Sequence, residues 1–191
     1  IDLLETHHPL ADPAKLPETY KQIIKDSKSR DLKKDEIIYL LNTEGIEKEA
    51  LFSEADVVRK TYLKDFICIH GIIEFSSYCK NDCSYCGLRC GNYSIVRYRM
   101  SVDEIVQAAR DAVHKKGYKL LVLQSGEDLA YSDEMLVDII KWIKKDCKVF
   151  IFMSVGERGR DCYKKMKEAG ASGVLFRFET ANPELFKKFH S

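Results

Sequence analysis

Ser76-Ser77-Tyr78-Cys79-Lys80-Asn81-Asp82-Cys83-Ser84-Tyr85-Cys86-Gly87 follows directly on Phe66 to Phe75, an apolar run that reads as a buried strand. Its cysteines stand at spacing C-x3-C-x2-C on one tight loop. Three thiolates placed so closely can hold three corners of a cubane [4Fe–4S] cluster, which normally takes four cysteine ligands. The fourth iron is then open to a ligand that the protein does not supply.

Cys90 follows four residues after Cys86, so the run also reads C-x3-C-x2-C-x3-C. Four thiolates make either a closed zinc site or a fully ligated electron-transfer cluster. Against the second, the first gap is one residue too long and Gly91 stands where a proline is usual. Against zinc, structural sites more often come as two C-x2-C-like pairs with a longer loop between them. The non-catalytic four-cysteine module (Cys79, Cys83, Cys86, Cys90) stays as the contrasting reading.

Composition narrows the classes. The chain has 191 residues, 45% of them hydrophobic and 32% charged, enough for a substantial core. Lys+Arg 31 against Asp+Glu 30 leaves a net charge of +1, which gives no electrostatic case for nucleic acid. No apolar run approaches the roughly 20 residues of a membrane span, and no signal peptide is visible. Seven cysteines, an odd number with three tightly clustered, argue against a secreted disulfide framework. A reducing, cytoplasmic compartment is therefore expected. The chain starts at Ile1 rather than Met and stops at Lys187-Lys188-Phe189-His190-Ser191 within a helical pattern, so it reads as incomplete at its C-terminus.

Residues 1–65 read as a helical lead-in. Up to Leu16 the chain is an irregular, proline-rich arm, where His7-His8 reads as an exposed pair because a metal site needs further fixed ligands. Helical patterns run from Glu18 to Lys28 and from Lys34 to Asn42, the second with an apolar stripe of Ile37, Ile38, Leu40 and Leu41. Gly45 is expected to end that helix, and Lys48 to Leu63 to form another with Leu51, Ala55, Val58 and Tyr62 on its packing face.

From 66 to 191 short apolar runs alternate with amphipathic helices: Phe66–Phe75 then Val102–Lys115, Lys119–Gln124 then Asp133–Lys145, Lys148–Ser154 then Arg160–Ala169, Gly173–Arg177 then Pro183 onward. Val102, Ile105, Val106, Ala109 and Val113 follow the helix period, as do Met135, Leu136, Ile139, Ile140 and Ile143. Gly117 and Gly170 sit where C-caps belong, and Asn182-Pro183 reads as an N-cap followed by proline. Successive βα units imply an α/β fold with a parallel sheet and right-handed crossovers. A closed (β/α) TIM-type barrel takes about 250 residues, so this chain holds about its first four βα units. Such a piece leaves a raw edge beside Gly173–Arg177 and its cluster open to water, so by itself it is expected to be inactive.

Chemistry in this fold gathers at the C-terminal strand ends. After the cysteine loop these read Gln124-Ser125-Gly126-Glu127-Asp128, Met153-Ser154-Val155-Gly156-Glu157 and Arg177-Phe178-Glu179-Thr180. The open-iron motif resembles that of the radical S-adenosylmethionine (SAM) superfamily, in which an aromatic, here Tyr85, usually precedes the last cysteine. There the open iron chelates the amino and carboxylate groups of SAM, and one electron from the cluster cleaves the sulfonium to a 5′-deoxyadenosyl radical. Gly126 allows close backbone approach, Glu127 suits the methionyl ammonium, Glu179 an ammonium or ribose hydroxyls, and Arg177 a carboxylate. The plainer reading of Arg177 and Glu179 is an ion-paired strand end, and Cys68, Cys147 and Cys162 read as inert core thiols.

Ile73-Glu74-Phe75-Ser76, Cys86-Gly87-Leu88-Arg89 and Arg97-Tyr98-Arg99-Met100 closely resemble the HydE family of [FeFe]-hydrogenase maturases. So do Leu123-Gln124-Ser125-Gly126-Glu127-Asp128, Gly156-Glu157 and Arg177-x-Glu179-Thr180-Ala181-Asn182-Pro183. Cys90 departs from it, standing where the family usually has a basic or polar residue. The resemblance implies a [4Fe–4S] cluster on Cys79, Cys83 and Cys86, and SAM held by Tyr85, Gln124, Ser125, Gly126, Glu127, Ser154, Arg177 and Glu179. It implies a radical step on a small sulfur- or iron-containing precursor of the hydrogenase di-iron site, a low-potential electron donor, and other maturases as partners. Biotin synthase and methylornithine synthase share the fold and cysteine motif and are the competing enzyme functions.

Overall fold

The computed structural model describes residues 12–64, 67 and 69–190, so the His7-His8 pair, Phe66 and Cys68 lie outside the described residues. The chain divides into two compact units, Ile1–Ile67 and Cys68–Ser191.

In the first unit a 3-10 turn, Pro13–Lys15, is capped by Asp12, whose carboxylate accepts the Ala14 N–H at 3.0 Å. Helices α1 (Glu18–Ser27), α2 (Lys34–Leu41) and α3 (Gly45–Leu63) follow. Gly45 opens α3 instead of closing α2: its left-handed φ of +51° turns the chain straight from one helix into the next. The expected packing faces are corrected as well. Ile37, Ile38, Leu41, Val58 and Tyr62 are exposed, and among the described residues this unit buries only Tyr20, Ile23 and Ala50. Three short helices enclose too little volume to cover every apolar position that shares the helix period.

The second unit is a four-stranded parallel sheet in the order β1 (Gly71–Ser76), β2 (Leu120–Ser125), β3 (Phe150–Ser154), β4 (Gly173–Val174). Helices α4 (Val102–His114), α5 (Asp133–Asp146) and α6 (Arg160–Glu168) connect the strands, and α7 (Pro183–Phe189) follows β4. One cluster forms the core: Leu121, Leu123, Ile151 and Met153 from the strands meet Ile105 and Ala109 of α4, Leu136, Ile139, Ile140 and Ile143 of α5, and Met166 of α6. Fully burying each such side chain stabilises the fold by about 1.5–3 kcal/mol. Met135, which shares the α5 period, is exposed.

The helices start where their caps say. Ser101 and Glu104 form a reciprocal capping box on α4, Ser132 accepts the Met135 N–H on α5, and Asn182 accepts those of Glu184 and Leu185 on α7. No described helix is long and apolar enough to cross a membrane.

Two strands are shorter than their apolar runs. Ile67 and Ile69 are exposed and outside β1, and the run after Gly173 leaves the ladder beyond Val174, with Leu175 adding one further bond from its N–H to the Met153 carbonyl at 2.9 Å. β1 also breaks register with β2 between Glu74 and Ser76. There the Phe75 carbonyl turns away to accept the Met100 N–H at 2.8 Å. This irregularity sits at the top of β1, where the site begins.

Candidate active site

The parallel sheet brings every strand's C-terminal end to one rim, and the loop after β1 folds back over it. Within that loop the Cys86 N–H donates to the Cys83 carbonyl at 2.9 Å, the Cys90 N–H to the Asn81 carbonyl at 2.9 Å, and the Gly91 N–H to Asp82 Oδ1 at 2.9 Å. Arg97 binds the assembled loop together. Its guanidinium donates to the carbonyls of Ser77, Leu88, Arg89 and Asn92, with the Arg89 bond at 2.6 Å. A planar fork with five fixed donors is the side chain best suited to several carbonyls at once.

Two of the thiols accept backbone N–H groups, Cys79 from Glu127 and Cys86 from Leu88, both at 3.4 Å. Hydrogen bonds to the sulfurs are one of the means by which a protein holds and tunes a cysteine-bound cluster. The elements are otherwise independent in sequence, so this is the observation on which the fit to a cluster rests.

A cavity of about 460 Å³ opens between the loop and the strand ends. Cys79, Cys83 and Cys86 line it, together with Tyr85, Gln124, Ser125, Gly126, Glu127, Ser154, Arg177 and Glu179. Every residue singled out from the sequence as a cluster or cofactor ligand thus reaches the same space. Cys90 is exposed and does not line it. Among the described residues no three His, Cys, Asp or Glu side chains converge tightly enough for a single ion, whereas a structural zinc site needs four donors around one centre. A cubane holds its thiolates at separate corners and makes no such demand.

Glu127 is held from three sides. Its carboxylate meets Lys80 Nζ at 2.9 Å, and its carbonyl accepts the Lys80 N–H at 3.0 Å. The hydrogen bond that Lys80 donates to Glu127 raises its ammonium above the usual range. On the third side lies Gly156, whose φ of +72° and missing Cβ leave room for the Glu127 side chain. Gln124 donates to Glu74 Oε1 at 3.0 Å. Arg177 and Glu179 are exposed and form no ion pair with any described residue, so the plain strand-end pairing is not what this structure contains. Glu179 has a left-handed φ of +58° in a tight turn closed by the Thr180 N–H on the Phe178 carbonyl at 2.6 Å.

Gly126 is needed for a reason its sequence did not disclose. A Cβ there would run into the Tyr78 carbonyl and stand 2.8 Å from Cys79 Cβ, so the close approach is to the cysteine loop itself. Gly126→Ala is therefore expected to push that loop off the rim. Iron incorporated on anaerobic reconstitution should fall several-fold, and an unchanged content would show that the loop yields freely.

Other residues of the site were given no role by the sequence alone. Asp128 is buried and accepts from Ser76 Oγ at 2.6 Å, Arg99 Nε at 2.6 Å, Arg99 Nη2 at 3.1 Å and the Ala130 N–H at 3.0 Å. Burial alone would raise its carboxyl, but the bonds from Arg99, Ser76 and Ala130 outweigh it and hold the group below the usual range. The Arg99 guanidinium also stacks over the Tyr78 ring at 3.7 Å. Arg158 donates to the Asp128 carbonyl at 2.9 Å and the Tyr131 carbonyl at 3.0 Å, fixing the start of the β2–α5 connection. From the far end of the chain, the Phe189 carbonyl accepts the Ser84 N–H at 3.0 Å. Cys147 and Cys162 are buried away from the cavity; desolvation raises both thiols, Cys162 to about 12.

Comparison with known proteins agrees with this architecture. The chain is 49% identical over 148 residues to the [FeFe] hydrogenase maturase subunit HydE of Thermotoga maritima, covering 78% of this chain and 42% of that protein. It is 31% identical over 154 residues to a 3-methylornithine synthase of Methanosarcina barkeri, covering 80% of this chain and 43% of that one. The crystal structure of methylornithine synthase (PylB) superposes with a TM-score of 0.76 at 28% identity, over 90% of this chain and 50% of that one. The chain thus spans about half or less of the length of these relatives, and its four βα units are part of a TIM-barrel-like fold. Residues 73–191, which include the cysteine loop and all four strand ends, match the Radical SAM superfamily, and the chain belongs to that superfamily.

Proposed function

We propose that this chain carries the cluster- and SAM-binding part of a radical SAM enzyme that acts in [FeFe]-hydrogenase maturation. The observation that carries the reading is the partition of the cysteines: three line the cavity with the strand-end polar residues, and Cys90 does not. The 49% identity to a HydE subunit supports the maturation role over a methylornithine-synthase-like one, where the identity is 31%.

Cys79, Cys83 and Cys86 would hold the [4Fe–4S] cluster. When bound, that cluster supplies the electron that cleaves SAM to a 5′-deoxyadenosyl radical. The chain's own residues bind and orient. Glu127 accepts the methionyl ammonium, and the forked Arg177 guanidinium takes the methionyl carboxylate. Glu179 takes ribose hydroxyls, and Tyr85, Gln124, Ser125, Gly126 and Ser154 shape the pocket and limit its water. The substrate is a small sulfur- or iron-containing precursor, and a low-potential donor and other maturases are the partners.

Glu127→Ala tests the cofactor assignment. In the reconstituted enzyme it is expected to weaken SAM binding by about 2–5 kcal/mol, the usual cost of truncating one partner of a desolvated charge pair. The cluster's absorption spectrum should not change. Calorimetry that finds unchanged SAM affinity would remove Glu127 from the site. The maturation role is tested separately, by whether the enzyme restores hydrogenase activity in an extract lacking its HydE or instead forms methylornithine.

A further inference from the structure

Glu127, the acceptor assigned above to a ligand ammonium, already holds an ammonium. Lys80 Nζ lies 2.9 Å from its Oε2. Lys80 is the residue after Cys79, and the two backbones are stitched together: the Lys80 N–H bonds the Glu127 carbonyl at 3.0 Å, and the Glu127 N–H bonds Cys79 Sγ at 3.4 Å. The main chains cannot separate without breaking the loop, so any exchange at this point involves side chains alone.

The two side chains are not equally free. That of Glu127 is 15% exposed and lies against Gly156, whereas that of Lys80 is 47% exposed with water to move into. Glu157, exposed on the same rim, attracts the Lys80 ammonium from farther away and makes no bond to it in this arrangement. Two ammonium groups so close repel each other, so a cation arriving at Glu127 weakens its hold on Lys80.

From this geometry we infer that Lys80 is an internal stand-in for the α-ammonium of SAM, seated on Glu127 in the free protein and displaced toward Glu157 when the ligand binds. The inference rests on the SAM-binding reading of the cavity. Lys80 is then a competitor for the Glu127 carboxylate, and ligand binding trades one ammonium for another with no covalent bond made or broken.

Two measurements on the reconstituted holoenzyme test it. Lys80→Met removes the competitor, so SAM should bind roughly three- to fivefold tighter, the scale of a half-exposed ion pair. Binding of 5′-methylthioadenosine, which has no α-ammonium, should not change. In the unaltered protein, acylation of Lys80 by an amine-reactive reagent, read by mass spectrometry, should accelerate when SAM is added and stay constant with 5′-methylthioadenosine. This second measurement decides the matter if Lys80→Met fails to take up the cluster. Weaker or unchanged SAM binding by a cluster-loaded Lys80→Met, or equal Lys80 labelling with and without SAM, overturns the exchange. Failure of the unaltered holoenzyme to bind SAM at all overturns the cavity assignment together with it.

Discussion

Alanine at Cys79, Cys83 or Cys86 is expected to abolish iron incorporation, while Cys90→Ala leaves it near that of the unaltered protein. The spacing alone does not force this result, because four cysteines fall within a short loop and a closed four-thiolate site uses all of them. The asymmetry comes from the fold. Cys79 and Cys86 accept backbone N–H groups at the cavity wall, Cys83 is buried beside them, and Cys90 is exposed outside it. Cys90 serves the loop through its backbone, donating its N–H to the Asn81 carbonyl at 2.9 Å, a bond that alanine preserves. Iron and acid-labile sulfide measured after anaerobic reconstitution separate the two arrangements. Loss of the cluster in Cys90→Ala, or stoichiometric zinc in the purified protein, would overturn the open-cluster assignment.

The second large effect is expected at Asp128, which does not line the cavity. Its carboxylate is 3% exposed and ties three segments: Ser76 at the top of β1, Arg99 on the segment returning from the cysteine loop, and Ala130 before α5. Asp128→Asn keeps the shape but sets an amide donor against donors. The expected loss is about 2–3 kcal/mol, less than for a fully buried pair because Arg99 can regain water. That is a large share of the stability of a domain, typically about 5–15 kcal/mol.

The pH dependence has a definite sign. The folded carboxyl lies below its ordinary value, so its contribution is complete above roughly pH 4 and disappears as the pH falls through the folded pKa. The stability gap between the unaltered protein and Asp128→Asn, from denaturant titrations, should be constant near neutrality and close in acid. A gap that stays open in acid would show that shape, not charge, is what Asp128 contributes. Iron uptake should fall in the same variant, because Arg99 and Ser76 anchor the loop that carries the cysteines.

The local signals were legible in the sequence. Period located α4 and α5, since Ile105, Ala109, Ile139 and Ile143 repeat on one face, and Asn182-Pro183 marked the start of α7. The cysteine spacing and the polar residues closing each apolar run identified the cavity wall, because a parallel sheet must bring its strand ends to one rim. What sequence could not decide was whatever depends on which side of a loop faces inward or on partners far along the chain. Cys90 has the same chemistry as Cys86 and differs from it by direction alone. Gly126 is glycine because Tyr78 and Cys79 lie against it, and Lys80 meets Glu127 across 47 residues of chain. Arg97 and Asp128 belong to no period, and their roles exist only once the loop and β2 are side by side. The apolar stripes of α2 and α3 gave the opposite error, since period marks a face as apolar but only the neighbouring volume determines whether it is covered.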